Sequence, residues 1–224
     1  MRVLVALLFA TAVRAQDTGV RSRVCAGCHP EIFRTYTETG MARSSGRAGS
    51  GSFAERLPAA PITDKSSGAS YRVTRGKDSY RMEFERPRTR VSGARDLKWF
   101  IGSGNVGRSY AFAVDGFLFQ APVSYYSSVA RWDLSPGYAG KQQIELAKPI
   151  EEPCLYCHAS GVQPVAKTQN RYLDPPFLEG GVGCERCHGS GEKHLKTHRD
   201  IVNPAKLEPA RRDSVCGTLA APVK

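Results

Sequence analysis

The sequence predicts a mostly α-helical and irregular fold packed around covalently attached prosthetic groups, with a small β-rich insert at about residues 70–125. Three observations predict it. Six of the seven cysteines fall into three copies of one Cys-x-x-Cys-His pattern, at 25–29, 154–158 and 184–188. Helix signals and scattered prolines surround these copies and forbid long regular elements. Between the first and second copies, alternating apolar residues bracket two turn signals. The 224 residues suit one domain, and 41% hydrophobic residues suffice for one packed core. Seven cysteines are too few for a disulfide-dense miniprotein.

Taken in order, the chain opens with Met1-Arg2, an apolar run from Val3 to Val13, and Val13-Arg14-Ala15 before Gln16. This pattern reads as a signal peptide, residues 1–15, cut after Ala15. The run falls short of the ~20 residues that a spanning helix needs. An uncleaved anchor is the alternative reading. No later stretch could span a membrane, so the mature chain from residue 16 is expected to be exported, to the periplasm or another oxidising compartment.

The three motifs are Cys25-Ala-Gly-Cys28-His29, Cys154-Leu-Tyr-Cys157-His158 and Cys184-Glu-Arg-Cys187-His188. This is the c-type haem attachment pattern. The two thiols form thioethers to the two vinyl groups of one porphyrin, so they must stand about one helical turn apart. The next residue, histidine, is then held beneath the iron. A zinc site would not need histidine after every second cysteine, and a redox Cys-x-x-Cys expects a βαβ context that is missing. The sequence therefore predicts three covalent haems c, held by Cys25, Cys28, Cys154, Cys157, Cys184 and Cys187, with His29, His158 and His188 on the irons.

Three irons need three more axial ligands if all are to be closed. His194 and His198 are the other histidines, and Met41 and Met82 are the only methionines after residue 16. Six residues of helix advance only ~9 Å, too little for His188 and His194 to clasp one iron, so His194 is expected to serve a neighbouring haem. His198, four residues on, falls on the same helix face and is a further candidate. Pro30, Glu31, the stripe Ile32, Phe33 and Tyr36, and Gly40 mark a helix and its end. Met41 follows in a loop, where it can reach an iron. Met82 alternates with Tyr80 and Phe84 on a strand and reads as core.

Residues 37–70 are rich in Gly, Ser, Ala and Arg and read as a long loop. Tyr71 and Val73, then Tyr80, Met82 and Phe84, flank Arg75-Gly-Lys-Asp78 as a hairpin. Ser109 to Val114 and Phe117 to Ala121 flank Asp115-Gly116 as a second. The haem-free, β-rich insert thus runs over about residues 70–150, and its aromatic side chains supply a core and a surface for a porphyrin face. Gly102-Ser-Gly104-Asn-Val-Gly107 matches a dinucleotide-binding pattern, but strand rather than helix signals follow it, so these glycines are turn residues. After Cys154 the chain reads as helix and loop, interrupted by Pro164, Pro175 and Pro176. The second and third motifs start 30 residues apart, so their haems are expected to be neighbours.

The first motif with Thr39-Gly-Met41-Ala-Arg-Ser44, the second motif, and Gly183-Cys-Glu-Arg-Cys-His-Gly-Ser-Gly-Glu-Lys-His194 together resemble the multihaem cytochrome c family of the nitrifier tetrahaem cytochrome and the octahaem reductases. The resemblance implies a haem-packed multihaem cytochrome c domain over 16–224. It strengthens His194 as a distal ligand and puts Met41 where relatives carry a distal histidine; it adds nothing for His198. It also leads one to expect a further motif at Cys216. That cysteine has no partner and no histidine, so the segment 209–224 reads as truncated relative to longer relatives.

Loss of residues 1–15 lowers the formal net charge from +11 to +9. Three ferric haems with their propionates lower it to about +6. Such a surface suits an acidic redox partner protein; nucleic acid is not an expected partner. The reading is an electron carrier in a periplasmic redox chain. The alternative is a haem oxidoreductase, or a fragment of one, acting on a small nitrogen or sulfur compound at an open iron.

Overall fold

The computed structural model describes residues 21–49 and 55–218. The signal peptide assigned to residues 1–15 and the tail beyond 218 lie outside the described residues.

The mostly α, haem-packed fold expected from the motifs is not the fold adopted. Among the described residues, three antiparallel sheets hold eleven strands, and the helices are only four to ten residues long. The helices are α1 (Ser22–Cys25), α2 (Pro30–Thr37), α3 (Glu152–His158), α4 (Glu185–His188), α5 (Glu192–Thr197) and α6 (Pro209–Thr218). They are short because each motif needs only about one turn, and Gly or Pro soon follows. The β structure is larger than the insert read from sequence. It begins at residue 45, inside the stretch taken as a loop, and returns after the second motif.

In chain order the strands are β1 (Ser45–Arg47), β2 (Ile62–Asp64), β3 (Ala69–Arg75), β4 (Tyr80–Arg86), β5 (Val91–Leu97) and β6 (Trp99–Ile101). Then come β7 (Gly107–Val114), β8 (Phe117–Tyr126), β9 (Arg131–Leu134), β10 (Ala159–Pro164) and β11 (Tyr172–Gly180). Strands β2 to β5 form one sheet in sequence order, and β1-β6-β7-β8-β9 form a second. Both hairpins read from sequence are present. β3 pairs β4 with Arg75 opposite Tyr80, and β7 pairs β8 with Val114 opposite Phe117. In the second turn Asp115 (φ 51°) and Gly116 (φ 83°) both take the left-handed region. That is the type I′ geometry whose twist matches the strands. A strand follows Gly107, as the turn reading of the glycine-rich loop requires.

The two large sheets pack face to face. Tyr71, Val73, Tyr80, Met82 and Phe84 of the four-stranded sheet meet Phe100, Tyr110, Phe112, Val123, Tyr125 and Trp132 of the other in one buried cluster. Each such side chain contributes roughly 1.5–3 kcal/mol when fully buried. Inside this core lies an ion pair. Glu55 and Arg108, with side chains 1% and 5% exposed, meet at 3.1 Å. Glu55 also accepts hydrogen bonds from the hydroxyls of Tyr80 (2.5 Å) and Tyr110 (2.6 Å). Burial, then the adjacent carboxylate, pushes both phenols above their usual range.

Because side chains alternate across a strand, the five-stranded sheet presents a second apolar face. Trp99, Ala111 and Leu118 on that face form another buried cluster with Ile150, Leu155, Ala159, Tyr172 and Phe177. This central sheet is therefore covered on both sides. Its outer cover is α3 and the hairpin β10–β11, the region read from sequence as helix and loop. The prolines there are tolerated because β11 pairs only with β10, so a missing N–H interrupts no ladder on its free side. Among the described residues no helix is long and apolar enough to cross a membrane.

Candidate functional site

Each motif occupies a helical turn, and two of them close in the same way. In the first, the Cys25 carbonyl accepts from the N–H groups of Cys28 (3.2 Å) and His29 (2.8 Å). In the third, the Cys184 carbonyl accepts from Cys187 (3.2 Å) and His188 (3.0 Å). The second lies within α3. Positions i and i+3 share a helix face, so both thiols of a motif can reach one porphyrin edge. None of the six motif cysteines is in a disulfide in this structure.

The third motif is the hub. The Cys184 N–H donates to Ser22 Oγ at 2.8 Å, and the Ser22 N–H donates to Glu179 Oε2 at 3.2 Å, which fastens the first motif beside it. On the other side, Arg186 Nη2 donates to the Tyr156 carbonyl at 3.1 Å. Ser160 Oγ bridges, donating to the Gly181 carbonyl (3.1 Å) and accepting from the Gly183 N–H (2.7 Å). The second motif is anchored below by Leu155, which is fully buried against the central sheet. All three motifs thus meet on residues 179–188. The proximity of the second and third follows the short spacing between them. The return of the first, across the whole β structure, had no sequence signal.

The segment Met41–Ser44 lies at the junction. The Val182 N–H donates to the Met41 carbonyl (3.0 Å), and Ser44 Oγ donates to the His158 carbonyl (2.9 Å). Gly181 makes this approach possible. Its φ is +81°, and a Cβ there would stand 2.1 Å from the Ala42 carbonyl oxygen. Met41 is half exposed, while Met82 is fully buried in the core.

The histidines are arranged for ligation. His29 and His194 face each other with ring centres 6.3 Å apart and planes 14° from parallel. Metal–imidazole bonds of about 2.0–2.1 Å put two rings that share one metal roughly 6.3–6.5 Å apart, centre to centre. The ring separation of the pair matches that spacing. His194 Nδ1 meets the Arg199 carbonyl at 3.1 Å, and His188 Nδ1 meets the Val202 carbonyl at 2.8 Å. Such contacts fix the ring and leave Nε2 for a metal. His158 is partly buried, and desolvation holds its pKa below the usual value, against the opposing pull of the Ser44 backbone. That favours the neutral, ligating form.

His198 is the exception. It does not continue the face of His194. It caps α5 in the left-handed conformation (φ 56°), which turns it off the helix. The following residues run back to His188, whose carbonyl accepts from the Val202 N–H at 3.1 Å. His198 thus directly precedes the stretch from Arg199 to Val202 whose carbonyls meet His194 and His188. The serines, carbonyls and glycines that assemble the site carry no chemical motif, so sequence reasoning missed them. Tyr36 was seen only as part of a helix stripe, yet its buried hydroxyl has no hydrogen-bond partner among the described residues and faces Cys184, Cys187 and Glu179. Exposed apolar side chains, Val24, Ile32, Leu195, Ile201 and Val202, flank the first and third motifs and suit the faces of a porphyrin. Among the described residues no group of three or more His, Cys, Asp and Glu side chains is placed to hold a bare metal ion.

Residues 126–189, which carry the second and third motifs, match the family described as cytochrome c554 and c-prime. No curated protein matches the chain. Among solved structures, the crystal structure of the outer cell wall cytochrome OcwA is similar over 88% of this chain, with a TM-score of 0.51 and 16% identity. The chain spans 36% of that structure's length, and at this identity the likeness is one of fold. The family match covers the stretch with the second and third motifs, and over the rest of the chain the likeness is one of fold.

Proposed function

We propose that the chain is an exported c-type cytochrome that carries three covalent haems and passes electrons in a periplasmic redox chain. One observation carries this reading: three separate attachment motifs converge on residues 179–188. Groups attached at all three would lie side by side, as electron transfer requires. The thiols of Cys25 and Cys28, Cys154 and Cys157, and Cys184 and Cys187 hold the groups. His29, His158 and His188 would each ligate an iron, His194 would join His29 on the first, and Met41 would serve a second. Haem c supplies the one-electron chemistry. The carbonyls of Arg199 and Val202 hold His194 and His188 in the ligating tautomer, and the β core fixes the spacing. Export follows from the signal peptide read at 1–15 and agrees with the cell-wall location in OcwA's description. The basic surface favours an acidic redox partner.

A second reading, a haem oxidoreductase acting on a small nitrogen or sulfur compound, draws support from His198. Its turn runs beside His188, the face of the third haem that is already ligated. With His198 set aside, His194 and Met41 close two irons and one stays open among the described residues. The optical spectrum of the reduced holoprotein, with and without carbon monoxide, separates the two readings. A protein mass that includes three haems, with no change on adding the gas, supports a closed electron carrier and requires a third distal ligand besides His194 and Met41. A shift in about a third of the haem absorbance supports the open iron. A mass without haem sinks both readings.

A further inference from the structure

One short segment serves two of the candidate ligand rings. The Arg199 carbonyl meets His194 Nδ1 at 3.1 Å, and the Val202 carbonyl meets His188 Nδ1 at 2.8 Å. With Nε2 on a metal, Nδ1 carries the proton and donates to these carbonyls. Both ends of the segment are tied back to the elements that carry the rings. The Arg199 N–H donates to Thr197 Oγ1 at 3.2 Å, and the Val202 N–H donates to the His188 carbonyl at 3.1 Å. Between the two carbonyls stands Asp200, in the left-handed region at φ 60°. Rotation about its N–Cα bond turns the peptide that carries the Arg199 carbonyl against the backbone that leads to Val202. Aspartate adopts this region far more readily than a β-branched residue. Its carboxylate also meets Lys193 Nζ at 3.1 Å, but the two side chains are 49% and 71% exposed, so this pair contributes little. What Asp200 brings is a backbone conformation. His158 lies outside the arrangement: its buried Nδ1 has no hydrogen-bond partner among the described residues.

We propose that Asp200 is a positioning residue and that segment 199–202 is a strap setting the reduction potentials of two haems together. The proposal rests on the haem reading of the motifs, with His194 on the first iron and His188 on the third. A carbonyl that accepts from Nδ1–H makes the imidazole a stronger donor to its iron and favours the ferric over the ferrous state. Both rings receive this support, and both receive it from one backbone turn. With residue 200 forced out of the left-handed region, the two carbonyls no longer point at their rings at once. The donation weakens at both irons, and both potentials rise. The second haem, whose histidine has no share in the strap, keeps its potential and serves as the internal reference. A residue that touches neither ring thereby keeps the first and third centres in step.

The test is a potentiometric titration of the full-chain holoprotein, followed optically, with haem counted by protein mass. Asp200→Val puts a β-branched side chain at positive φ and should raise two of the three potentials while the third stays. Asp200→Asn drops the ion pair but tolerates the left-handed region, and Asp200→Gly adopts it freely. Both should keep the parent potentials. Should Asp200→Val fail to fold, Asp200→Ala carries the same strain in milder form and should move the same two potentials by less. Three unmoved potentials in the strained variants overturn the proposal. So does a shift at one haem alone, which denies a shared strap, or at all three, which marks a general loss of structure. A shift in Asp200→Asn as large as in Asp200→Val assigns the effect to charge and overturns the backbone argument. A parent protein whose mass lacks haem sinks the proposed function and the strap with it, whereas three haems with unmoved potentials sink the strap alone.

Discussion

His194→Ala is the sharpest perturbation of the proposed site. The ring of His194 stands 6.3 Å from that of His29 and 14° from parallel, and its Nδ1 is held by the Arg199 carbonyl. Removing it takes one axial ligand from one iron of three, so the effect should be confined to about a third of the haem absorbance. That third should change from low to high spin and gain a carbon monoxide response over the parent protein. Excess imidazole should reverse the change by filling the vacated position. His194 is partly buried on a six-residue helix, so its loss should cost the fold about 1 kcal/mol. The assay is an optical titration of the reduced variant with carbon monoxide, normalised to haem content by mass. An unchanged spectrum would refute the pairing of His29 with His194. A change in all three haems would refute the idea that the ligand serves one iron.

Other perturbations test the remaining parts. Glu55→Ala deprives Arg108 and two buried phenols of their carboxylate; it should destabilise the chain by about 3–5 kcal/mol, read by denaturant unfolding, with the haem spectrum of the surviving folded protein unchanged. Gly181→Ala places a Cβ against the Ala42 carbonyl at positive φ and should cost at least about 2 kcal/mol, with reduced haem loading at the third motif measured by peptide mass. His198→Ala should leave both the spectrum and the carbon monoxide response as they were; a new response would return His198 to the ligand set. Burial, then the neighbouring Cys184, raises the Cys25 thiol from 9.0 to about 11 in the folded apoprotein. A raised pKa stabilises the fold below the unfolded value, and that contribution is lost as pH rises from about 9 to 11. Apoprotein stability followed across this range should fall, and Cys25→Ser should flatten the fall.

What could be read from the sequence was local. The attachment motifs show because thioether chemistry demands a fixed spacing of Cys and His. The hairpins at Arg75–Tyr80 and Asp115–Gly116 show because turn residues and period-two alternation sit within a few positions of each other. The fold class was misread for a physical reason. Haem motifs signal helix, but a motif needs one turn and no more, whereas Trp99, Tyr110, Phe112 and Trp132 had to be buried between sheets. β5 (Val-Ser-Gly-Ala-Arg-Asp-Leu) lacks alternation and is defined by its pairing with β4. β11 hides behind Pro175 and Pro176, which argue against a central strand but not against one paired on a single side. His198 was placed by counting along an ideal helix, and a left-handed cap broke the count. The site itself is non-local. Nothing in Ser22, Ser44 or Ser160 announces that these hydroxyls fasten three distant segments together.

The pairing of His29 with His194 also sets a timetable. A ribosome releases the first attachment motif early and the imidazole that stands beside His29 only 165 residues later, with the β scaffold between them. A loop of that length gains little by chance encounter; the interval is bridged because the sheets form and carry the distant segment home. Under the proposed function, an iron held by His29 would be enclosed only once the segment that carries His194 docks. Until then a haem on that motif would be a half-dressed centre, open to whatever small molecule the compartment contains. Docking of that segment is what would turn it from a reactive group into a conductor.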